Sequence, residues 1–186
     1  MAHLDAALRR RISGARLQHV YGVVEASRAL SARFGAPAEK AEVAALMHDY
    51  CKWMPAQDLL AIARRDGLMV DPAEESHPHL LHGPVAAAVL RGEGLVTDPE
   101  ILDAIRWHTT GRPGMSLLER VIWLADYIEP GRDFPGVEPV RQLAETDLDG
   151  ALLLALDQTI AYVKAQGWPL HAYSVKARYW LAALRQ

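Results

Sequence analysis

The sequence contains a single cysteine, Cys51, among its 186 residues. One cysteine cannot form an internal disulfide, and a structural zinc site of the thiolate type needs several, so neither device holds this fold together. The N-terminus also lacks an apolar stretch of the length that a secretory signal or a membrane span requires. We therefore expect a soluble protein of the reducing cytoplasm that makes no contact with a membrane, in which Cys51 packs as a small hydrophobic side chain.

An excess of positive charge is missing as well. The chain has 20 Lys and Arg residues against 23 Asp and Glu residues, which gives a formal net charge of −3. Because non-specific binding to nucleic acid depends on many Lys and Arg contacts with phosphates, this balance argues against a nucleic-acid polymer as the partner. Hydrophobic residues make up 51% of the chain, and charges of both signs are interspersed among them, which is typical of a globular protein rather than a disordered one.

The patterns of β-strands are also absent, because no Val-, Ile- and Tyr-rich run alternates with polar residues between hairpin turns. Apolar residues follow helical spacing instead, and signals for helix ends recur. Gly35 is placed to end one helix and Pro37 to begin the next, while Ser116 and Glu119 have the spacing of a capping box. We expect an all-α fold in which residues 1–186 form a single compact bundle of about seven to nine helices.

The predicted helices leave three long connections, at about residues 67–78, 109–114 and 129–136. Histidines and carboxylates stand at the ends of several of these helices. Imidazole nitrogens and carboxylate oxygens together suit iron, manganese or zinc. The helices themselves cover about residues 19–34, 37–49, 55–66, 82–91, 99–108, 117–126, 147–165 and 174–184.

The adjacent pair His48-Asp49 stands at the end of one predicted helix. Side chains of neighbouring helical residues point about 100° apart, so the two reach one ion, or two neighbouring ions, only if the helix ends there. Asp49 and Asp126 both follow apolar runs, where a carboxylate is costly to bury unless it is paired or bound to a metal. A lone histidine at a helix end more often makes a surface hydrogen bond, and we assign no role to His3, His77 and His79.

Five segments contain the candidate ligands and the loops beside them: RLQHVYGV (16–23), AALMHDYCK (44–52), LHGPV (81–85), AIRWHTTGRP (104–113) and LADYIEPGRDFPGVE (124–138). Together they resemble the HD-domain superfamily. With the later segment LLLALDQTIAY (152–162), the chain resembles more closely the YqeK family of bacterial symmetrical diadenosine tetraphosphate hydrolases. The resemblance runs from about residue 16 to residue 178, with the motif core at about residues 16–130.

The resemblance implies a metal-dependent phosphohydrolase with an HD-domain helical fold. It assigns the primary ion to four side chains: His19, His48, Asp49 and Asp126. Iron is the expected metal, and manganese or another divalent cation is the alternative. His82 and His108 match positions that complete a second metal site in binuclear members, and both this role and contact with substrate phosphate stay open. One or two ions are therefore expected.

The expected reaction is the attack of a metal-bound hydroxide on an inner phosphorus of diadenosine tetraphosphate, which gives two molecules of ADP. Catalysis is assigned to four residues: Asp49, Lys52, His82 and His108. The side chains expected to contact the dinucleoside polyphosphate or ADP are His19, Lys52, His82, His108, Thr109, Asp126, Arg132, His171 and Arg178.

Arginine binds phosphate through two donors, and both Arg112 and Arg132 lie in loops that follow motif residues. We favour Arg132 as the polyphosphate clamp. The C-terminal residues His171, Ser174 and Arg178 resemble the H-x-x-[ST]-x-x-x-R ending of the family, and the C-terminal helices are expected to complete the nucleotide site. Adenine stacking is considered for Tyr50, Trp53 and Trp107. A homodimer is expected from the family resemblance alone.

Three other functions fit the same residues. An HD phosphohydrolase with the same metal site can act on a nucleoside monophosphate or another nucleotide. A non-catalytic nucleotide-binding module can retain the metal without turnover, although the intact set of candidate ligands argues against it. A di-iron oxygenase shares the scaffold, but Lys52 and the arginine loops suit an anionic substrate better.

Overall fold

Residues 1–185 are described by a computed structural model, in which eleven α-helices and one short 3₁₀ helix form one helical domain without a strand in that range. This confirms the all-α prediction, while the expected seven to nine helices are too few. The helices are α1 (Ala2–Arg9), α2 (Gly14–Phe34), α3 (Ala38–Met47), α4 (Ala56–Arg65), α5 (Ala73–Ser76), α6 (His82–Gly92), α7 (Pro99–Trp107), α8 (Leu117–Ile128), α9 (Val137–Leu143), α10 (Leu148–Ala165) and α11 (Ala172–Leu184); the 3₁₀ helix is Pro78–Leu81.

The helices that the sequence analysis missed are short. Helix α5 has four residues, α9 has seven, and α1 has eight. Two helical turns contain too few apolar positions for their spacing to be distinctive. Helix α9 also follows Gly136 in a left-handed conformation, with φ of 97°, and carries Pro139 near its start, so it resembles the loop before it.

The core lies where α2, α3, α7 and α8 pack on one another, and α6 and α10 cover this group from outside. Each helix contributes side chains without solvent exposure, and each such Val, Leu or Ile stabilises the fold by about 1.5–3 kcal/mol relative to an exposed position. Among them are Val20 and Val23 of α2, Ile105 of α7, and Ile122 and Leu124 of α8.

The helix ends carry the polar residues of interest to one place. His48 and His108 directly follow α3 and α7, and His82 is the first residue of α6. His19 lies early in α2, and Asp126 lies in the last turn of α8. None of the helices between residues 1 and 185 combines the length and the apolar character needed to cross a bilayer.

The expected helix caps form. Gly35 ends α2 with φ of 78°, a left-handed conformation that glycine adopts without strain. At the start of α8 the Ser116 hydroxyl accepts from the Glu119 amide, and the Glu119 carboxylate accepts from the Ser116 amide. This capping box sets where α8 begins.

Candidate metal and phosphate site

Two overlapping sets of side chains have ligand atoms within 4.8 Å of one another. One set is His19, His48 and Asp126, and the other is His48, Asp49 and His108. His48 belongs to both sets, so the two sets form one continuous cluster. It contains all four side chains assigned to a primary ion, together with His108, which was assigned to a second ion. Their separation in sequence reaches from residue 19 to residue 126, and the packing of α2, α3, α7 and α8 brings them together.

Asp49 lies at the centre of this cluster. Its Oδ1 atom is 3.1 Å from Nε2 of His82 and 4.0 Å from Nε2 of His108, and its Oδ2 atom accepts a 2.9 Å hydrogen bond from Arg16. Burial raises the pKa of Asp49, but the neighbouring imidazoles of His48, His82 and His108 outweigh burial and hold that pKa well below its ordinary value. Asp49 is therefore a buried anion surrounded by imidazoles.

Three histidines are oriented by the same kind of contact. The Nδ1 atoms of His48 and His108 each lie 2.7 Å from the backbone carbonyl oxygen three residues earlier, that of Ala45 and Ile105 respectively. The Nδ1 atom of His82 contacts the carbonyl oxygen of His79 in the same way. A carbonyl only accepts, so Nδ1 carries the proton and, in the neutral ring, Nε2 presents a lone pair to the centre.

The Nε2 atoms of His82 and His108 lie 2.9 Å apart. Both rings donate through Nδ1, so two neutral imidazoles would place two lone pairs against each other. A proton or a cation between them removes that repulsion. Nζ of Lys52 is 3.4 Å from the same His82 atom, and the hydroxyl of Thr109 is 3.2 Å from the same His108 atom.

Burial sets the charge state of these rings. It lowers the pKa of His48, and together with the nearby His82 and His48 it lowers the pKa of His108 to about 3. His19 differs, because the carboxylates of Asp126 and Glu129 outweigh the effect of burial and raise its pKa. Burial also lowers the pKa of Lys52. Neutral imidazoles beside carboxylates are the form in which histidine binds metals.

The donor set fits a divalent cation. Nε2 of His48 is fully buried and makes no hydrogen bond with residues 1–185, although buried polar atoms are rarely left without a partner. Imidazole nitrogen and carboxylate oxygen are ligands shared by iron, manganese and zinc. The residues thus suit divalent metal binding without selecting one metal.

A cavity of about 260 Å³ adjoins the cluster. Arg132 lies in its wall, where Nη2 donates to Oδ1 of Asp126 at 2.7 Å and Nε donates to the carbonyl oxygen of Asp126 at 3.0 Å. The cavity is lined by His108, Thr109, Trp123, Asp126, Tyr127, Arg132, Phe134 and Thr159. Its lining therefore combines polar side chains of the cluster with the aromatic rings of Trp123, Tyr127 and Phe134.

The aromatic lining of this cavity was not found from the sequence. Trp123 and Tyr127 stack with ring centroids 5.6 Å apart, and Phe134 meets Tyr127 edge-on at 5.2 Å. Of the aromatic residues that the sequence analysis considered, Tyr50 is buried and donates to Glu93, and Trp53 is exposed.

The third, Trp107, packs against Tyr173 with ring centroids 5.1 Å apart. None of the three lines the cavity. One signal was available in the sequence, because Trp123 and Tyr127 are four residues apart on the helix that carries Asp126.

Three other residues named from the sequence have protein partners of their own. His171 caps α11 and places Nε2 3.3 Å from Glu74, and Arg178 donates to Asp157 at 2.7 Å. Neither lines the cavity, and their roles at the nucleotide stay predictions. Arg112 binds the buried Glu119 through two donors and does not line the cavity, whereas Arg132 does.

Two residues that the sequence analysis did not single out contact the cluster. Arg16 donates to Asp49, and Glu129 lies 3.1 Å from Nδ1 of His19. Both stand inside the quoted motif segments, Arg16 three residues before His19 and Glu129 three residues after Asp126. That proximity to candidate ligands was the signal that could have found them.

Comparison with known proteins agrees with this architecture. The HD domain family matches residues 16–131. The chain is 42% identical over 180 residues to the symmetrical bis(5'-nucleosyl)-tetraphosphatase of Bacillus subtilis, covering 96% of this chain and 95% of that protein. A protein of the same name from Halalkalibacterium halodurans is 44% identical over 156 residues, which cover 84% of this chain and 83% of the relative.

A solved structure from Clostridium acetobutylicum superposes with a TM-score of 0.94 at 36% identity, covering all of this chain and 97% of the other. That protein is described as a predicted HD superfamily hydrolase involved in NAD metabolism. The arrangement of helices around the His and Asp cluster is therefore shared with a solved HD hydrolase.

Proposed function

Since this chain belongs to the HD-domain family, within the group of symmetrical bis(5'-nucleosyl)-tetraphosphatases, we propose that it hydrolyses diadenosine tetraphosphate to two molecules of ADP. Water adds across the central P–O–P bond, one phosphate receives the hydroxyl group, and the departing ADP receives the proton. The observation that supports this assignment best is the buried His and Asp cluster beside a cavity that is lined by Arg132 and by three aromatic rings.

We assign the primary metal to His19, His48, Asp49 and Asp126, with iron as the first candidate and manganese as the second. The facing Nε2 atoms of His82 and His108 suit a second cation when both rings are neutral. When one of the rings is protonated, its Nε2 can instead donate to a phosphate oxygen. When bound, one or two divalent cations lower the pKa of water and offset the charge of the phosphoryl group.

The protein supplies further positive charge and hydrogen-bond donors for the polyphosphate. Nζ of Lys52 reaches the His82 side of the cluster, and the hydroxyl of Thr109 reaches the His108 side. We expect each of them to donate to a non-bridging oxygen of the phosphoryl group. Arg132 holds the adjoining phosphate, since its guanidinium lies in the cavity wall next to Asp126 and offers several N–H donors.

The cavity orients one half of the substrate. Adenine has an aromatic face, and stacking on protein aromatic rings is a favourable mode of nucleobase binding. We place one nucleoside against Tyr127 and Phe134, so that its diphosphate extends past Arg132 toward the metal cluster. His171 and Arg178 remain candidates for the nucleotide; each would have to exchange its present partner, Glu74 or Asp157, for substrate.

A small dinucleoside polyphosphate, with ADP as product, is thus the proposed partner. The cytoplasmic location and the homodimer expected from the sequence stay predictions.

The test is product analysis with purified protein, supplied with Fe²⁺ without oxygen or with Mn²⁺. Diadenosine tetraphosphate, deoxynucleoside triphosphates and nucleoside monophosphates form the panel, with NAD and nicotinate mononucleotide added because of the C. acetobutylicum relative. We expect ADP alone from the tetraphosphate, and loss of activity in His48→Ala and Asp126→Ala.

Two results contradict the proposal. Preferential turnover of a monophosphate supports an HD phosphohydrolase with another nucleotide substrate. Binding of metal and ADP without turnover of any compound supports a non-catalytic module.

A further inference from the structure

Glu129 makes an unusual contact with a candidate metal ligand. It is 3% exposed, and its Oε1 atom lies 3.1 Å from Nδ1 of His19. Its Oε2 atom accepts a 2.6 Å hydrogen bond from the amide of Gly131. A buried carboxylate with both oxygens engaged has a fixed position, so it constrains the imidazole that it contacts.

His19 lies between two carboxylates from the C-terminal end of α8. Asp126, in the last turn, places Oδ1 3.1 Å from Nε2, while Glu129, directly after the helix, contacts Nδ1. The chain leaves the helix at Glu129 with φ of −49° and ψ of 151°, which allows the two side chains to reach opposite nitrogens of one ring.

This contact replaces the one that orients the other histidines of the cluster. His48 and His108 follow the last residue of a helix, and their Nδ1 atoms bond to a carbonyl of the preceding turn. His19 lies within α2, where carbonyl oxygens accept from the main chain of the helix itself. Its Nδ1 proton therefore needs an acceptor from outside the helix, and Glu129 supplies it.

Gly22 provides the space for that acceptor. It lies in α2 one turn after His19, and a Cβ atom built on it would lie 2.3 Å from Oε2 of Glu129. Glycine within a helix is less favourable than alanine. The close approach of the carboxylate gives a reason for glycine at this position.

We infer that Glu129 is a positioning residue that fixes the orientation and tautomer of His19, and that Gly22 is required to admit its carboxylate. The inference rests on the proposed metal centre. A carboxylate that accepts from the outer nitrogen of a metal-binding histidine orients the ring, and loss of such a partner lowers metal affinity by roughly 10- to 100-fold.

The experiment measures Mn²⁺ affinity by calorimetry on the metal-free full chain, and the visible spectrum of the Co²⁺-loaded protein. Glu129→Ala is expected to weaken Mn²⁺ binding by roughly 10- to 100-fold and to change the Co²⁺ spectrum. Glu129→Gln retains an oxygen acceptor for Nδ1 but sets an amide N–H against the Gly131 N–H, so it is expected to recover part of the affinity.

Gly22→Ala is expected to weaken Mn²⁺ binding to a similar extent, because the new methyl group displaces Glu129. The matched control is Gly92→Ala, since Gly92 is also helical but a Cβ there meets no atom within 4 Å. The double variant Gly22→Ala/Glu129→Ala is expected to bind no more weakly than Glu129→Ala alone, because both changes remove one contact.

The inference would be overturned if the losses of Mn²⁺ affinity in the two single variants added up in the double variant. It would also be overturned if a folded Glu129→Ala protein kept the Mn²⁺ affinity and the Co²⁺ spectrum of the wild type. Both outcomes are read from metal binding alone, so they differ from a failure to hydrolyse diadenosine tetraphosphate. Wild-type protein that binds no divalent cation would instead remove the metal centre on which the inference depends.

Discussion

His82 and His108 oppose each other through two nitrogens that both lack a proton in the neutral rings, at a separation of 2.9 Å. The backbone carbonyls of His79 and Ile105 engage the remaining nitrogens, so neither ring relieves the contact by changing its tautomer. This arrangement is unfavourable for a neutral pair and favourable around a positive charge. A cation bound between the two rings would therefore remove a repulsion between lone pairs that otherwise destabilises the folded state.

Metal removal is expected to lower thermal stability. A cation at 100 times its dissociation constant stabilises the native state by about 2.7 kcal/mol. For a chain of this length that corresponds to a Tm higher by roughly 5–10 °C. Calorimetric unfolding with Mn²⁺ and with a chelator measures the difference. His48→Ala should abolish the metal-dependent increment, and an equal increment in that variant would contradict the assignment of His48 as a ligand.

Arg132→Ala is expected to weaken substrate binding. The guanidinium faces the cavity, so its loss removes a forked contact with phosphate, a charge-assisted interaction worth about 1.5–3 kcal/mol and hence roughly 10- to 150-fold in kcat/KM. Steady-state kinetics with diadenosine tetraphosphate measure the effect. Because Arg132 also bonds to Asp126, Mn²⁺ affinity is measured in parallel.

Arg28→Ala serves as the control for Arg132, because Arg28 of α2 forms an ion pair with Glu42 of α3 and does not line the cavity. Its kinetics should equal those of the wild type. If the two variants behave alike, Arg132 is not the phosphate clamp.

Phe134→Ala tests the aromatic wall. Aromatic pairs contribute about 0.5–1.5 kcal/mol beyond the area that they bury, so the affinity for ADP should fall by roughly 2- to 10-fold. Calorimetric titration with ADP measures it. Trp53→Ala should leave ADP affinity unchanged, since Trp53 does not line the cavity. If Trp53→Ala lowered ADP affinity and Phe134→Ala did not, adenine would stack on Trp53, as the sequence analysis considered, and not on the aromatic wall.

The main helices and the grouping of the ligand candidates were accessible from the sequence. Apolar spacing and capping residues act locally, so the ends of α2 at Gly35 and the start of α8 at Ser116 follow from a few neighbouring residues. The grouping of His19, His48, Asp49 and Asp126 came from the family resemblance. The structure brings these side chains together, and their role as metal ligands remains a prediction.

Contacts between distant residues were not accessible in the same way. Glu129 meets His19 across 110 positions of sequence, and only the packing of α2 against α8 reveals this contact. Tyr50 shows the converse. It directly follows Asp49, yet the chain turns there and its ring points away from the cluster toward Arg11 and Glu93. Proximity in sequence indicated a nucleotide contact that the direction of the side chain does not support.

Ser116→Ala tests whether the local cap of α8 matters for the fold or for the site. The hydroxyl of Ser116 accepts from the Glu119 amide, and loss of such a cap costs about 1 kcal/mol of unfolding free energy. Urea denaturation of the metal-free protein measures this loss. Mn²⁺ affinity should be unchanged, because Asp126 lies at the opposite end of α8 and is held there by Arg132. A loss of metal affinity with Ser116→Ala would show that the position of Asp126 depends on the whole helix, and the cap would then belong to the device that orients the ligands.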